Sequence, residues 1–227
     1  MSGRAEIEWH DDVVTSADGT TIAFLSQGNG PGLVVIPGNN RRAHHYGVLA
    51  RELSDTYAVH VIERRGRGLS GPQGPGYGVE TEVDDAVAVM ERTGSDLVFG
   101  HSYGGLTALH LGLRRRVAAL MAFMMLSGAE GRDMRAMMAT TPAEIGEIGR
   151  LDSDGTRYAG IASPALLLGG EKTPGYLTGV LPRLAEVMPD ARYVISRGLD
   201  HNAPDLNAPQ AVAGQIRAFL RERLVTP

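Results

Sequence analysis

The stretch from Asp96 to Leu109 constrains the fold of this chain more than any other. An apolar run ends at Gly100, and a helix-like spacing of leucines begins just after Gly105. Between them lies the pattern G-x-S-x-G, centred on Ser102. A serine in this strand–turn–helix context is typical of a nucleophile elbow, in which flanking glycines leave room for a strained serine backbone. The alternative is an ordinary glycine-rich turn between a strand and a helix.

Composition limits the classes of protein that this chain can belong to. The 227 residues predict one domain, spanning 1–227, with a core large enough to need no disulfides. There is no cysteine, which fits a reducing compartment and excludes thiolate catalysis. A net charge of −4 gives no footprint for nucleic acid or for an anionic membrane surface. Without a signal-peptide pattern or a membrane-length apolar run, we expect a cytoplasmic protein. No pattern indicates an oligomeric state.

Apolar runs alternate with helical patterns along most of the chain. Eight strand candidates are recognisable, beginning with a hairpin that turns at Asp18-Gly19. Helical spacing follows most of the later strands, with Thr81 and Asp84 as a possible cap for one helix and Pro209 opening the last. This alternation predicts an α/β fold: a mostly parallel eight-stranded sheet with helices on both faces. A short Met-rich segment, 127–162, is expected to cover the sheet after strand six.

Several features in the right order make the chain resemble the α/β-hydrolase fold family. The elbow follows the fifth strand candidate, and Arg65-Gly66-Arg67-Gly68-Leu69-Ser70 is similar to the family's loop after strand four. His201, followed by Pro209 and a closing helix, stands where these enzymes keep their catalytic histidine. The resemblance implies an eight-stranded α/β-hydrolase fold with little or no lid domain.

The resemblance also implies roles for four residues. Ser102 would be the nucleophile and His201 the base. The backbone N–H groups of Tyr103 and Asn39 would form the oxyanion hole. The loop that carries Asn39 usually reads His-Gly, whereas this chain has Pro37-Gly38.

The acidic member of the triad departs from the family pattern. Thr173 occupies its usual slot after strand seven, and Met124 occupies the other slot used in the family. We favour Glu171, two residues from the usual slot, with Glu130 as the next choice. Other candidates, and the possibility that all of them are solvated surface carboxylates, stay open; those candidates are Asp133, Asp200 and Asp205.

The remaining polar residues have ordinary and functional interpretations. His101 is more simply a support beneath the elbow than a catalyst. Arg64, Arg65 and Arg67 fit structural ion pairs better than a phosphate or carboxylate site. Metal binding is not expected, because no carboxylate stands at ligand spacing from the histidines. The substrate pocket is predicted from Gly38, His44 and Met124, with the methionines either filling the core or forming an adaptable apolar wall.

Three functions fit these observations. The first is a serine hydrolase of the esterase or thioesterase type, acting without a cofactor on a small or medium apolar acyl substrate. The second is a non-hydrolytic lyase or cyclase on the same fold, which the missing acid and Pro37 would favour. The third is a catalytically degenerate protein that binds a small ligand. The fold alone does not choose among them.

Overall fold

The protein is described from a computed structural model that covers residues 9–123, 141–150, 155–173 and 178–224. Eight strands form one sheet in the order β1-β2-β4-β3-β5-β6-β7-β8. The strands are β1 His10–Thr15, β2 Thr21–Gln27, β3 Gly32–Ile36, β4 Ala58–Ile62, β5 Leu97–His101, β6 Ala119–Phe123, β7 Ala165–Gly170 and β8 Ala191–Ser196. β1 and β2 are antiparallel to their neighbours, and β3 to β8 pair in parallel. The predicted α/β-hydrolase fold is confirmed.

Helices cover both faces of this sheet. They are α1 Gly47–Leu53, α2 Val79–Thr93, α3 Tyr103–Arg114, α4 Thr141–Arg150, α5 Val180–Val187 and α6 Pro209–Leu224. Short 3₁₀ turns span Ala43–Tyr46 and Thr156–Gly160, and a π-helical turn spans Ala203–Asn207. In the described ranges, no helix is both long enough and apolar enough to cross a membrane.

Two hydrophobic clusters, one on each face, hold these layers together. One joins α2, α3 and α5 to the sheet, and the other joins α1 and α6 to the opposite face. Strands β3, β5 and β6 contribute alternate side chains to both, so they are apolar along nearly their whole length. Because β3, β5 and β6 pair in parallel, their carboxyl ends meet at one edge of the sheet, where the loops that follow them converge.

Local patterns predicted some element boundaries better than others. Pro209 opens α6 as expected, and Gly19, with φ 87°, forms the β1–β2 turn. The predicted cap at Thr81 and Asp84 is wrong: α2 begins at Val79, and its N-cap Gly78 has no side chain to accept a hydrogen bond. Half of the segment 127–162 lies outside the described residues, as do Met124, Glu130 and Asp133.

Candidate active site

The turn between β5 and α3 holds Ser102 in a strained conformation. Its φ of 59° and ψ of −121° lie where side chains other than glycine rarely occur, at a cost of about 1–3 kcal/mol. Backbone hydrogen bonds fix the turn, from Ser102 N–H to the Phe123 carbonyl (2.7 Å) and from Gly105 N–H to the Ser102 carbonyl (2.8 Å). A β-carbon on Gly104 would lie 2.1 Å from the Ile36 oxygen, so α3 approaches β3 this closely only with glycine there. This is the geometry predicted for a nucleophile elbow.

The loop after β3 lies directly against Ser102. A β-carbon on Gly38 would be 2.9 Å from the Ser102 β-carbon, which leaves room for hydrogen only. The Gly38 N–H donates to the Tyr46 hydroxyl (3.0 Å), and the Gly38 carbonyl accepts from Nη1 of Arg64 (3.1 Å). Both peptide groups of Gly38 are thus anchored. The next residue in this loop is Asn39, the predicted oxyanion-hole donor.

His201 lies beside the residue that precedes Ser102. Its ring centroid is 4.7 Å from that of His101, and its carbonyl is 2.9 Å from Nε2 of His101. Phe123, whose carbonyl holds the Ser102 amide, has its ring 6.3 Å from the His201 ring. The two residues that the sequence analysis paired, 102 and 201, are therefore brought to the same edge of the sheet through His101 and Phe123.

Desolvation favours the neutral form of both imidazoles, of which His101 is buried and His201 partly buried. Desolvation lowers the pKa of His201 to about 3, with a smaller contribution from His101. Desolvation also lowers the pKa of His101 to about 3. A neutral imidazole can accept a proton, so His201 is in the form that a general base requires at neutral pH.

The structure does not join Glu171 to His201. The Glu171 carboxylate is exposed and accepts a hydrogen bond from the Gly198 N–H (2.9 Å), which closes the turn after β8. Nδ1 of His201 is buried and, among the described residues, no atom forms a hydrogen bond with it. Thr173, in the family's acid slot, is also buried. Glu171 was favoured because it lies two residues from the usual acid slot. Its side chain instead points to the turn after β8.

A different carboxylate is buried close to the histidine. The Asp205 side chain is 2% exposed and forms an ion pair with Nε of Arg41, and its charge partly opposes the desolvation that lowers the pKa of His201. Its Oδ1 has no hydrogen-bond partner within the described part of the chain. Asp200 is occupied at both oxygens, by the Asn202 N–H (2.9 Å) and by Nδ2 of Asn207 (2.6 Å).

The predicted pocket residues have different environments. Gly38 packs on Ser102, as described above, whereas His44 is exposed and lines a groove of about 470 Å³. That groove is bordered by Arg42, Glu63, Leu69 and residues of β1 and β2, and its lining includes neither Ser102 nor Gly38. The structure therefore associates His44 with the β1–β2 edge rather than with the elbow.

The arginines after β4 form ion pairs, as predicted from the sequence, and all of their partners except Asp18 are buried. Arg64 contacts Glu82 (2.6 Å) and Glu144 (3.0 Å), and its guanidinium lies 4.5 Å from the ring centroid of Tyr103. Arg65 pairs with Asp18 and Asp85, and Arg67 pairs with Glu144. Because Arg64 also donates to the Gly38 carbonyl, this cluster supports the loop at the site. In the described ranges, no three His, Asp or Glu side chains converge as metal ligands.

Three contacts at the site were not predicted from the sequence: Tyr46 with His101, Arg41 with Asp205, and Arg64 with the carbonyl of Gly38. Tyr46 is 55 residues from its partner His101, and Arg41 is 164 residues from Asp205. No local periodicity carries such pairings. The only available signal was that the residues following the strands share one sheet edge.

Comparison with known proteins agrees with this architecture. The profile of the Alpha/beta hydrolase family matches residues 33–212. The Uncharacterized hydrolase YraK of Bacillus subtilis (strain 168) is 32% identical over 100 residues, which cover 42% of this chain and 37% of that protein. The match thus spans well under half of this curated relative's length.

Solved structures share the fold over nearly the whole chain. An alpha/beta hydrolase from Sphaerobacter thermophilus DSM 20745 superposes with a TM-score of 0.81 at 25% identity, covering 92% of this chain and all (100%) of the other. A thermophilic esterase from Thermogutta terrifontis gives a TM-score of 0.78 at 18% identity, covering 94% and 98%. From the profile match and the fold together, this chain belongs to the alpha/beta hydrolase family.

Proposed function

We propose that this chain is a serine hydrolase that cleaves an ester or thioester through an acyl-Ser102 intermediate. The observation that carries the proposal is the strained backbone of Ser102 between β5 and α3, which a merely structural serine would have no reason to keep. The anchored Gly38 loop and the neutral imidazole of His201 at the same edge support it. The esterase from Thermogutta terrifontis shares the fold.

The proposed reaction has two halves. In the first, Oγ of Ser102 attacks the acyl carbon while Nε2 of His201 takes its proton, and the oxyanion is stabilised by the N–H groups of Asn39 and Tyr103. The tetrahedral intermediate then expels the alcohol or thiol, which receives the proton from His201. In the second half, His201 deprotonates water, the water attacks the acyl-enzyme, and the acid and free Ser102 are released.

Labelling and turnover together test this reaction. A fluorophosphonate probe should modify Ser102, as located by mass spectrometry, and a series of p-nitrophenyl esters should be hydrolysed. Replacing Ser102→Ala or His201→Gln should lower kcat by at least about 10⁴-fold, because residues that act as a unit fail together. Labelling at another residue, or turnover that survives Ser102→Ala, would contradict the proposal. The ester series also tests the preference for apolar acyl groups, which rests on the Met-rich segment.

The acid that orients His201 is proposed to be Asp205 instead of Glu171. Asp205 lies in the π-helical turn Ala203–Asn207, which begins two residues after His201, and its charge acts on the His201 imidazole. Its buried Oδ1 and the buried Nδ1 of His201 both lack a hydrogen-bond partner in the part of the chain that the structure covers. Buried groups of this kind are nearly always satisfied, directly or through an ordered water. A single hydrogen bond from Nδ1–H of His201 to Oδ1 of Asp205, or one water between them, would satisfy both atoms.

Paired substitutions distinguish the two carboxylates. Asp205→Asn should lower kcat by about 10²–10⁴-fold, because an amide neither fixes the imidazole tautomer nor balances the imidazolium charge. Glu171→Gln should stay within about 3-fold, since surface changes away from such features have small effects. The assignment fails if Glu171→Gln gives the larger loss. Imidazole ¹⁵N shifts of His201 should show less of the Nδ1–H tautomer in Asp205→Asn.

Non-hydrolytic chemistry is the second candidate function, and two observations favour it. No carboxylate among the described residues is bonded to Nδ1 of His201, and the oxyanion loop reads Pro37-Gly38. Proton transfer by a Ser102–His201 pair needs no acyl-enzyme. If Ser102 resists the fluorophosphonate in folded protein and none of the esters is turned over, the hydrolase proposal fails and a lyase, a cyclase or a ligand-binding role is favoured.

A further inference from the structure

Gly38, Tyr46, His101 and His201 are linked by one directional chain of hydrogen bonds, which joins two loops through a 3₁₀ turn and the end of β5. The Gly38 N–H lies 3.0 Å from the Tyr46 oxygen, that oxygen lies 2.7 Å from Nδ1 of His101, and Nε2 of His101 lies 2.9 Å from the His201 carbonyl. Tyr46 is fully buried and His101 is 1% exposed. The chain therefore runs through the interior, from the loop after β3 to the loop after β8.

The chemistry of the groups fixes the direction of every bond. A carbonyl oxygen can only accept, so Nε2 of His101 carries a hydrogen and donates a hydrogen bond to the His201 carbonyl. Because burial keeps His101 neutral, its Nδ1 has no proton and accepts a hydrogen bond from the Tyr46 hydroxyl. The Tyr46 oxygen in turn accepts from the Gly38 N–H. The Tyr46 hydroxyl thus accepts one hydrogen bond and donates the next, and no reversed arrangement satisfies the two ends.

The two ends of this chain belong to the two loops on which the proposed reaction depends. Gly38 lies against Ser102 and precedes Asn39, while the His201 carbonyl is part of the residue whose ring is the proposed base. A displacement of about 1 Å in a catalytic group can lower a rate about 10²-fold. Groups that hold both loops to the same buried imidazole therefore affect the alignment of nucleophile, base and oxyanion donors together.

We propose that Tyr46 and His101 are positioning residues that hold the oxyanion loop and the base loop in register through this hydrogen-bonded chain. The proposal rests on the proposed function of Ser102 and His201. His101 then does more than support the elbow from beneath. Its two ring nitrogens link Tyr46 to the His201 carbonyl, so a displacement of one loop also displaces the other.

The main test removes one hydroxyl at each of two matched sites. Tyr46→Phe keeps the ring and deletes the link between Gly38 and His101. Tyr158→Phe is the control, because Tyr158 is also buried and its hydroxyl also contacts a histidine nitrogen, Nε2 of His110, at 3.3 Å. With p-nitrophenyl acetate, Tyr46→Phe should lower kcat about 10-fold or more with KM nearly unchanged, as expected for lost alignment. Tyr158→Phe should stay within about 2-fold.

Two substitutions of His101 make the test independent of the tyrosine. His101→Gln keeps an amide that can donate to the His201 carbonyl and should retain more activity than His101→Leu, which has no donor. Equal activity of these two folded variants would overturn the proposal, as would a kcat for Tyr46→Phe that equals the control's.

A measurement without turnover separates this proposal from the proposed function. In Ser102→Ala protein, imidazole ¹⁵N shifts should identify His101 as the Nε2–H tautomer. Adding Tyr46→Phe should shift the backbone amide signals of Gly38 and of residues 201–202 together, whereas adding Tyr158→Phe should leave them in place. If the tautomer is Nδ1–H, or only one loop responds, the chain does not couple the loops. If both respond but no ester is cleaved, the coupling stands and the hydrolase proposal fails.

Discussion

Gly38 shows how closely the site is packed at the scale of one residue. A methyl group there would meet the Ser102 β-carbon at 2.9 Å and the His101 oxygen at 3.1 Å, both on the rigid elbow. We expect Gly38→Ala to displace the loop, to lower the free energy of unfolding by about 1–3 kcal/mol, and to reduce ester turnover at least about 10-fold.

Gly214 offers the matched control for that substitution. It lies within α6, and a β-carbon there meets no atom within 4 Å. Gly214→Ala should raise the free energy of unfolding by about 0.4–1 kcal/mol through helix propensity, with turnover unchanged. Urea denaturation of both variants checks the opposite signs, and equal effects would show that the contact at Gly38 is not limiting.

Single residues also mark where sequence reasoning reaches its limit at the site. Ser102 and His201 were predictable because each stands in a local pattern with a known place relative to the strands. The contacts of Tyr46 and Arg41 were not, since both depend on how loops distant in sequence fold over the sheet edge. The direction of the Glu171 side chain was likewise decided by a backbone N–H at Gly198 that no pattern announces.

Between elements, the buried ion pairs join the loop after β4 to α2 and α4. Arg64 is 1% exposed, and its partners Glu82 and Glu144 are 3% and 0% exposed. Arg64→Met would leave two buried carboxylates without this partner, so we expect a loss of about 3–5 kcal/mol in the free energy of unfolding. Because Arg64 also holds the Gly38 carbonyl, turnover of the folded protein should fall as well.

An exposed ion pair provides the comparison. Arg92 pairs with Asp12 at 3.0 Å, with exposed fractions of 55% and 40%. Arg92→Met should change the free energy of unfolding by less than about 1 kcal/mol, because solvent screens such pairs. Urea denaturation of both variants measures the difference, and a similar loss in each would contradict the role given to the buried cluster.

Element prediction succeeded where the pattern was local and failed where a boundary depended on packing. The buried strands were recognisable as continuous apolar runs, and the elbow fixed the order of β5 and α3. The start of α2 was misplaced because its first residue, Val79, is buried, and tertiary contacts extend the helix two residues beyond the polar cap. A polar capping pattern could not reveal that burial.

For the whole molecule, the buried His101 and the partly buried His201 make stability depend on pH. Each has a folded pKa of about 3, below its unfolded value near 6.5, so the unfolded chain binds more protons as pH falls. The contribution of one histidine is intact above about pH 6.5 and decreases as the pH falls toward 3. At pH 5 the loss from one such histidine is about 2 kcal/mol.

A variant isolates this contribution from the carboxylates that titrate in the same range. His201→Gln removes one titrating group and leaves every carboxylate of the chain in place. The difference in free energy of unfolding between wild type and His201→Gln should therefore move by about 2 kcal/mol in favour of the variant between pH 7 and pH 5. Urea denaturation across this range measures it, and a constant difference would mean that His201 titrates normally in the folded protein.

The strained backbone at residue 102 lowers the folding stability of the chain. At φ 59° and ψ −121°, glycine would relieve steric conflict that serine must tolerate. A descendant that only carried a ligand would gain folding stability from Ser102→Gly and lose nothing. Under the proposed function, residue 102 therefore gives up folding stability in order to carry a reactive hydroxyl.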